Sequence, residues 1–138
     1  MANKLHLRVV TPTNILIDDD CDMVIMKTVD GDTGVLYGHQ PLTTILDLGK
    51  LRIIDEGKEK DSTLMGGFAK VNSEGLTIIT DAAEWPGDID IERAKESKRR
   101  AEERLKASDG RDTSEIDHSR AEAALKRAIL RIDIAGTE

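Results

Sequence analysis

The residues best placed to do chemistry are arginines in the second half of the chain. Arg127 and Arg131 are four residues apart, and neither has an acidic residue three or four positions away. On one helical face, such like charges cost about 0.2–0.5 kcal/mol. Three further arginines share a face of the preceding segment, with Glu96 and Glu103 as local partners: Arg93, Arg100 and Arg104. Guanidinium groups bind phosphates or carboxylates, so a ligand-binding cluster and ordinary solvated arginines are the two interpretations.

Patterns typical of enzymes do not occur in the sequence. His6, His39 and His118 are scattered and lack the spacing of a metal site. There is no Walker or Rossmann phosphate loop, and residues 31–34 are better explained as a hairpin turn. The acidic run 18–22 lacks the glycine and final glutamate of an EF-hand loop, so we expect a solvated turn. We therefore predict no catalytic residue, no metal site and no required cofactor.

Composition narrows the possible partners. The 138 residues have a net charge of −7. Residues 1–87 hold 14 acidic and 8 basic residues, and the only aromatic side chains of the chain are Tyr37, Phe68 and Trp85. An acidic first part and the lack of a stacking surface argue against nucleic acid. The single Cys21 fits a reducing compartment. No apolar run approaches the roughly 18 residues of a membrane span, so we expect membrane association only through a partner.

The first part of the chain has the pattern of a β-sandwich. Short runs rich in Val, Ile and Leu alternate with turn signals such as Gly49-Lys50, up to a break at Pro86-Gly87. Many short strands at this spacing predict an antiparallel sandwich or barrel over residues 1–84. The predicted strands are residues 5–10, 14–17, 23–28, 34–37, 43–48, 51–55, 62–65, 69–72 and 76–80.

The second part has the pattern of an α-helical hairpin over residues 88–134. Asp88 or Asp90 can cap the first helix, and Asp112 begins a capping box for the second. The apolar stripes consist mainly of alanine, so the helices bury little apolar area and are weakly held. The stripe residues are Ala94, Ala101 and Leu105 in the first helix, and Ala121, Ala124, Leu125, Ala128 and Ile132 in the second.

Several segments, in order and spacing, resemble the epsilon subunits of bacterial F-type ATP synthases over nearly the whole chain. The most specific is Gly-Val-Leu-Tyr-Gly-His-Gln-Pro at residues 34–41; residues 7–12, 46–53, 66–71 and 81–84 also match. Tyr37 stands where proline is common, and we expect only a local change of the loop. The resemblance implies the same sandwich followed by a helical hairpin.

The resemblance also implies a function without catalysis by this chain. Such a subunit lies in the rotating central stalk, where its sandwich binds the gamma subunit and rests on the c-ring. Its hairpin folds back or extends between the alpha and beta subunits, where it blocks ATP hydrolysis. The enzyme would be proton- or sodium-translocating, and the chain would lie peripherally at the cytoplasmic face of the bacterial plasma membrane. His39 is the candidate c-ring contact.

Some bacterial members bind ATP through an Ile/Leu-Asp-x-x-Arg-Ala motif, which is intact here at residues 89–94. By resemblance, ATP is a regulatory ligand with no established need for magnesium. Asp90 has a second interpretation as a helix cap alone. The candidate ATP-binding residues are Glu84, Asp90, Arg93, Arg100, Arg127 and Arg131. The alternative function is a stand-alone nucleotide-binding regulatory module with no larger complex.

Overall fold

A computed structural model describes residues 3–108 and 115–136 of the chain. The chain divides into two compact units, Met1–Trp85 and Pro86–Glu138. The first consists of β-strands and the second of helices. The predicted fold class, a β-sandwich followed by a helical hairpin, is confirmed.

From residue 3 onward, where the structure describes the first unit, its seven strands lie in the order β2-β1-β7-β6-β5-β3-β4. All neighbouring pairs are antiparallel except β1 and β7, which run parallel. The strands are β1 (Leu5–Val10), β2 (Ile15–Cys21), β3 (Met23–Thr28), β4 (Gly31–Leu36), β5 (Leu42–Asp55), β6 (Lys58–Asn72) and β7 (Gly75–Ile79).

Strands β5 and β6 are long, at 14 and 15 residues, where the sequence predicted two short strands each. The predicted turn at Gly49-Lys50 is wrong, because Gly49 is buried within β5 and a Cβ there would lie 2.8 Å from Lys27 Cδ. Within β6, a Cβ on Gly67 would lie 2.0 Å from the carbonyl oxygen of Ile79. Both glycines thus permit a close approach between neighbouring chain segments and do not end a strand.

Two further turn predictions differ from the structure. The acidic run continues β2 to Cys21 instead of forming a turn. Residues 31–34 lie in β4, and the β3–β4 turn falls at Val29 and Asp30. Strand β2 is at an edge of the sheet, where a row of aspartates discourages pairing with another chain.

The core of the first unit is aliphatic, as the scarcity of aromatic residues predicted. Alternate residues of β1, namely Leu5, Leu7 and Val9, point into it and are buried. Side chains from β2 to β7 complete the cluster, and Trp85 is half-buried against its margin. Each fully buried leucine or valine contributes roughly 1.5–3 kcal/mol, so one face of every central strand is fixed toward the inside.

The second unit begins with a 3₁₀ turn at Pro86–Asp88 and contains helices α1 (Ile91–Ser108) and α2 (Glu115–Ala135), which pack against each other. Buried alanines recur every seven residues along both helices: Ala94 and Ala101, then Ala121, Ala128 and Ala135. These buried positions form the seam between the helices, and four of them, Ala94, Ala101, Ala121 and Ala128, belong to the predicted stripe. The other predicted members are only half-buried, namely Leu105, Ala124, Leu125 and Ile132, whereas Ile134, which was not predicted, is fully buried. The predicted capping residue Asp112 lies outside the described residues. Neither described helix is long and apolar enough to cross a bilayer.

Candidate functional site

An apolar row crosses the outer face of the β2-β1-β7-β6-β5 part of the sheet. Neighbouring strands place its members directly opposite one another in register, so their side chains share a face. They alternate with the buried Val9, Ile78 and Ala69, so this face is turned away from the core. The row consists of Ile15, Val10, Ile79, Phe68 and Ile45.

The apolar row is exposed. Ile15, Ile79, Phe68 and Ile45 are between 43% and 63% accessible to solvent. A depression of about 430 Å³ lies along the row, with Pro12 and the side-chain-free Gly67 in its wall. Scattered surface leucines need no explanation, but a continuous apolar row marks a surface that another molecule covers.

A polar row runs parallel to the apolar row, two residues away along β1, β7, β6 and β5. It consists of Asp18, Arg8, Thr77, Lys70 and Thr43. Arg8 Nε lies 4.0 Å from Asp18 Oδ1. Charged groups beside an apolar strip give the polar rim that protein interfaces commonly have.

His6 is bound to the acidic edge strand through both ring nitrogens. Its Nε2 lies 2.7 Å from Asp18 Oδ1 and its Nδ1 lies 2.7 Å from Asp20 Oδ1. Both nitrogens must carry a proton to donate to two carboxylates. The hydrogen bonds with Asp20 and then Asp18 accordingly raise the pKa of His6 above its ordinary 6.5. The charged imidazolium therefore ties β2 to β1 at the exposed face.

His39, the predicted c-ring contact, lies in the loop between β4 and β5 and is half-buried. Its Nδ1 is 2.7 Å from the carbonyl oxygen of Gln40, so Nδ1 carries the proton and donates, which leaves Nε2 for another partner. His39 and Tyr37 line a cavity of about 370 Å³ together with the β6–β7 turn. This loop lies at the end of the sheet where β1 and β7 begin, about four residues or roughly 13 Å from the apolar row.

Cys21 offers no nucleophile. The thiol is buried, and burial raises its pKa to about 11. Because the thiolate is the reactive form, this side chain is inert near neutral pH. Among residues 3–108 and 115–136, no group of three potential metal ligands comes together.

In the second unit, Asp90 caps α1. Its Oδ1 accepts a hydrogen bond from the backbone N–H of Arg93 at 3.1 Å, and its carbonyl accepts one from Ala94 at 3.0 Å. An aspartate in this place satisfies a free N–H and complements the helix dipole. The intact sequence motif of residues 89–94 therefore has a structural role of its own, whether or not a ligand binds there.

Charge pairing along α1 differs from the prediction. Glu96 and Glu103 were expected beside Arg93, Arg100 and Arg104, but both bind Arg99 instead. Arg99 sits three and four residues from these acids, which are the spacings at which helical side chains meet. The ion pair with Arg99 lowers the pKa of Glu96 and raises that of Arg99.

Arg93 and Arg100, the candidate ligand-binding arginines of α1, thus form neither of these ion pairs, although the charge of Arg100 also helps to lower the pKa of Glu96. Arg100 donates to Ser97 Oγ at 3.4 Å. Within the described part of the chain, no carboxylate lies within 4.0 Å of the guanidinium groups of Arg93, Arg100 or Arg104. Fixed positive charge of this kind favours an anionic partner.

The seam places these arginines on one side of the hairpin. Arg93 and Arg100 each precede a buried alanine of α1, and Arg127 precedes the buried Ala128 of α2. In an antiparallel pair, a two-fold axis perpendicular to the plane of the two helices relates one helix to the other. Residues that directly precede a buried alanine in either helix therefore lie on the same side of that plane. Arg131 follows Arg127 by about one turn and is half-buried. Five of the six predicted site residues therefore belong to this unit.

Glu84, the sixth predicted site residue, belongs to the first unit and is held by Thr63 of β6. The Glu84 N–H donates to Thr63 Oγ1 at 2.9 Å, and Thr63 Oγ1 donates to Glu84 Oε1 at 3.2 Å. The Thr63 N–H donates to the Glu84 carbonyl at 2.9 Å. Thr63 is completely buried, so the carboxylate of Glu84 has a fixed anchor.

Comparison with known proteins identifies the family. Two family models match in succession: the beta-sandwich domain of the ATP synthase delta/epsilon chain over residues 4–86, and its long alpha-helix domain over residues 88–136. The ATP synthase epsilon chain of Caldanaerobacter subterraneus is 43% identical over 98% of this chain and 96% of its own length. The chain belongs to the ATP synthase epsilon chain family. It is therefore a subunit of the synthase and not one of its catalytic subunits, as the resemblance implied.

Solved structures show the same fold in distant relatives. A chain of the mitochondrial ATP synthase of Euglena gracilis superposes with a TM-score of 0.78 and 24% identity, covering 96% of this chain and 81% of that one. A chain from the central stalk and c-ring of the Tetrahymena thermophila enzyme gives a TM-score of 0.61 with 13% identity, covering 96% and 97%. At these identities the likeness concerns the fold alone.

Sequence reasoning missed the apolar row and Thr63. The sequence does contain a signal for the apolar row. Consecutive residues of a strand face opposite sides of the sheet, and in β5 to β7 both are apolar around Ile45-Leu46 and Ile78-Ile79. A strand with only one buried face should alternate. The Thr63 contact leaves no such signal, since its partner is 21 residues away in the chain.

We expect His6 to make the stability of the sandwich depend on pH. Because folding raises the pKa of His6, its contribution is complete below about pH 6.5 and is lost as the pH rises through the folded-state pKa. The side chain is 42% exposed, so solvent screening keeps this contribution below about 1 kcal/mol. Thermal melts over roughly pH 5.5 to 9 measure it.

Replacement of His6 by Asn, or of Asp18 and Asp20 together by Asn, is expected to remove this part of the pH dependence. The wild-type chain and the His6→Asn variant should differ in stability at the acidic end and converge at the alkaline end. Parallel curves across the whole range would show that His6 does not contribute in this way.

Proposed function

We propose that this epsilon chain is a central-stalk subunit that binds the gamma subunit through the apolar row. The observation that carries the proposal is the register of five apolar side chains across five strands. A stand-alone nucleotide-binding module has no use for such an exposed face, which favours its aggregation. A gamma subunit bound to the apolar row would bury it permanently.

The polar row would fix the orientation of the gamma subunit on the apolar row. Apolar contacts alone are non-directional, whereas a rotating stalk requires its subunits to turn together. Arg8 and Lys70 are exposed beside the row, and charges at an interface rim select orientation and partner more than they add affinity. Gamma would therefore present apolar side chains to the row and acidic groups to these two cations.

The loop that contains His39 is the proposed contact with the c-ring. It lies at one end of the strands that carry the apolar row, so a single sandwich can meet two partners at separate places. The Tetrahymena chain of the same fold comes from a central stalk with its c-ring, which supports this arrangement. The chain would thus be held at the cytoplasmic face of a bacterial plasma membrane through the complex. It would couple rotation to proton or sodium transport without contacting lipid itself.

Replacing Phe68 and Ile45 together by Thr is expected to weaken binding to a complex of alpha, beta and gamma subunits about a thousandfold. Central apolar anchors typically contribute about 2 kcal/mol each, and both side chains are exposed, so folding should persist. Titration calorimetry with the full chain measures the affinity. Leu36→Thr is the matched control, because Leu36 is equally exposed but lies on β4. Equal binding by the double variant and the control would exclude the row as the gamma site.

We further propose that the hairpin restrains ATP hydrolysis. Its seam is built from alanines, each of which buries a fraction of the area of a leucine, so separation of the two helices costs little. Among the described residues, no carboxylate lies within 4.0 Å of the guanidinium groups of Arg93, Arg100 or Arg104. Acids of the alpha and beta subunits would hold these arginines when the hairpin extends, which obstructs rotation in the hydrolysis direction.

Deletion of residues 88–138 is expected to raise hydrolysis by the assembled synthase several-fold and to leave synthesis nearly unchanged. A sharper comparison uses two neighbouring arginines. Arg100→Gln removes a guanidinium group without a carboxylate partner and should raise hydrolysis, whereas Arg99→Gln removes one already bound to Glu96 and Glu103 and should change it little. Coupled hydrolysis assays on membrane vesicles give the measurement. Identical hydrolysis by all four enzymes would rule out restraint by the hairpin.

A second role, ATP sensing, is proposed from the arginines on one side of the hairpin. A triphosphate bound by Arg93, Arg100, Arg127 and Arg131 would offset their mutual repulsion and favour the folded hairpin. A ligand shifts an equilibrium only through its higher affinity for one state. The stabilisation is RT ln(1 + [L]/Kd), about 2.7 kcal/mol at a hundredfold excess over Kd.

ATP is therefore expected to raise the melting temperature of the isolated full chain by several degrees, and Arg93→Gln to abolish the rise. Asp90→Asn separates the two roles of Asp90, because asparagine caps a helix as well as aspartate but carries no charge. Loss of the ATP effect with an unchanged ligand-free melting temperature would identify Asp90 as part of the site. Arg99→Gln serves as the control and should keep the effect. An unchanged wild-type melting temperature at millimolar ATP would refute nucleotide sensing by this chain.

A further inference from the structure

A polar cavity of about 350 Å³ lies beside the polar row, at the end of the outer face where β1 and β7 begin. Its charged lining groups are His6 and Arg8 of β1, Asp18 of β2 and Glu74 of the β6–β7 turn. Arg8 and Asp18 are also members of the polar row. The cavity is therefore continuous with the surface that is proposed to bind gamma.

One carboxylate oxygen of Asp18 lies between two cations of β1. Asp18 Oδ1 is 2.7 Å from His6 Nε2 and 4.0 Å from Arg8 Nε. The first contact is a hydrogen bond, whereas the second is too long for one. Among the described residues, Asp18 is the one carboxylate within 4.0 Å of the Arg8 guanidinium. His6, while it is protonated, thus keeps Asp18 from pairing fully with Arg8.

Loss of the His6 proton changes the partner of Asp18. A neutral imidazole donates from one nitrogen only, and its other nitrogen presents a lone pair. One of the two aspartates bound to His6 must then lose its hydrogen bond. Asp18 has a second cation nearby in Arg8, whereas Asp20 has no cation except His6 within 4.0 Å in the described part of the chain. The electrostatic loss is therefore smaller when the ring keeps its proton on Nδ1 for Asp20 and Asp18 turns to Arg8.

We propose that His6 controls whether Arg8 is available to an acidic side chain of the gamma subunit. While His6 is protonated, it holds Asp18, and Arg8 binds the acidic group of gamma at the cavity. When His6 is neutral, Asp18 pairs with Arg8 and competes with that acidic group. The affinity for gamma therefore falls as the pH rises. This inference rests on the proposed binding of gamma at the apolar row.

The other charges around His6 act in the same direction. Glu74 is exposed in the β6–β7 turn and adds negative charge to the cavity, while β7 contributes only uncharged residues to its lining. Loss of the His6 proton therefore also makes the cavity more repulsive to an incoming carboxylate. Lys4, which precedes β1, cannot replace this charge, because its Nζ is 2.5 Å from Asp55 Oδ1. Hydrogen bonds with Asp20 and then Asp18 raise the pKa of His6 above 6.5, so the change occurs above that pH.

The test measures the affinity of the full chain for a complex of alpha, beta and gamma subunits by titration calorimetry, at roughly pH 6 and pH 9. His6→Lys is positively charged at both pH values, and His6→Asn is neutral at both. Wild type should match His6→Lys at the acidic pH and His6→Asn at the alkaline pH. There it should bind about threefold more weakly than His6→Lys, the effect expected of one exposed ion pair. Titration of groups in the other subunits affects every variant alike and cancels in this ratio.

A second background, Arg8→Gln, separates control of Arg8 from a general effect on the fold. In that background, His6→Asn should no longer change the affinity, whereas a loosened β1–β2 pair would weaken binding with or without Arg8. A ratio of wild type to His6→Lys that is equal at both pH values, or a loss in His6→Asn that persists without Arg8, would overturn the role of His6 and leave the gamma site standing. Undiminished binding by the double variant of Phe68 and Ile45 would instead overturn the proposed gamma site, and the role of His6 with it.

Discussion

Hydrogen bonding along strand β6 is the constraint on which the rest of the structure depends. One stretch of this strand pairs with β5 and β7 and places Phe68 between Ile45 and Ile79. Another stretch holds the chain that leads to the helices, through Thr63 and Met65. The two stretches are joined by Gly66 and Gly67, whose φ angles of 78° and 102° suit glycine. A single strand thus positions both the exposed apolar row and Glu84.

Local chemistry explains which features could be predicted from the sequence. The alanine spacing follows from the period of one helix and could be predicted. The cap of the first helix was narrowed to Asp88 or Asp90, and the structure selects Asp90. The turn predicted at Gly49-Lys50 was wrong, since glycine signals a turn equally well as a close approach, and only the neighbouring strand decides between them. The partners of Glu96 and Glu103 were predicted wrongly for a similar reason. Several cations compete for Glu96 and Glu103, and helix geometry selects the one flanked by both acids.

The same limit explains why the candidate site was predicted only in part. Its arginines lie on two helices whose seam is periodic, so their common side follows from the sequence once the hairpin is assumed. The anchoring of Glu84 depends on Thr63, a threonine with no distinctive local pattern, brought near by strand pairing. The apolar row required the register of five strands, which no single segment encodes.

A weak alanine seam sets a quantitative condition on any control by ATP. Moving a two-state equilibrium from 1:99 to 99:1 requires about 5.5 kcal/mol, whereas a ligand at a hundredfold excess over its Kd supplies about 2.7 kcal/mol. The ligand therefore brings a hairpin that is folded one time in a hundred only to about equal populations. Sensing requires the folded and extended states to lie within a few kcal/mol of each other beforehand. A leucine seam would add roughly 1.5–3 kcal/mol for each fully buried side chain and lock the hairpin shut. Alanine at Ala94, Ala101, Ala121 and Ala128 buries little area, which keeps this difference small, as the proposed competition between phosphates and partner carboxylates for the same arginines would require.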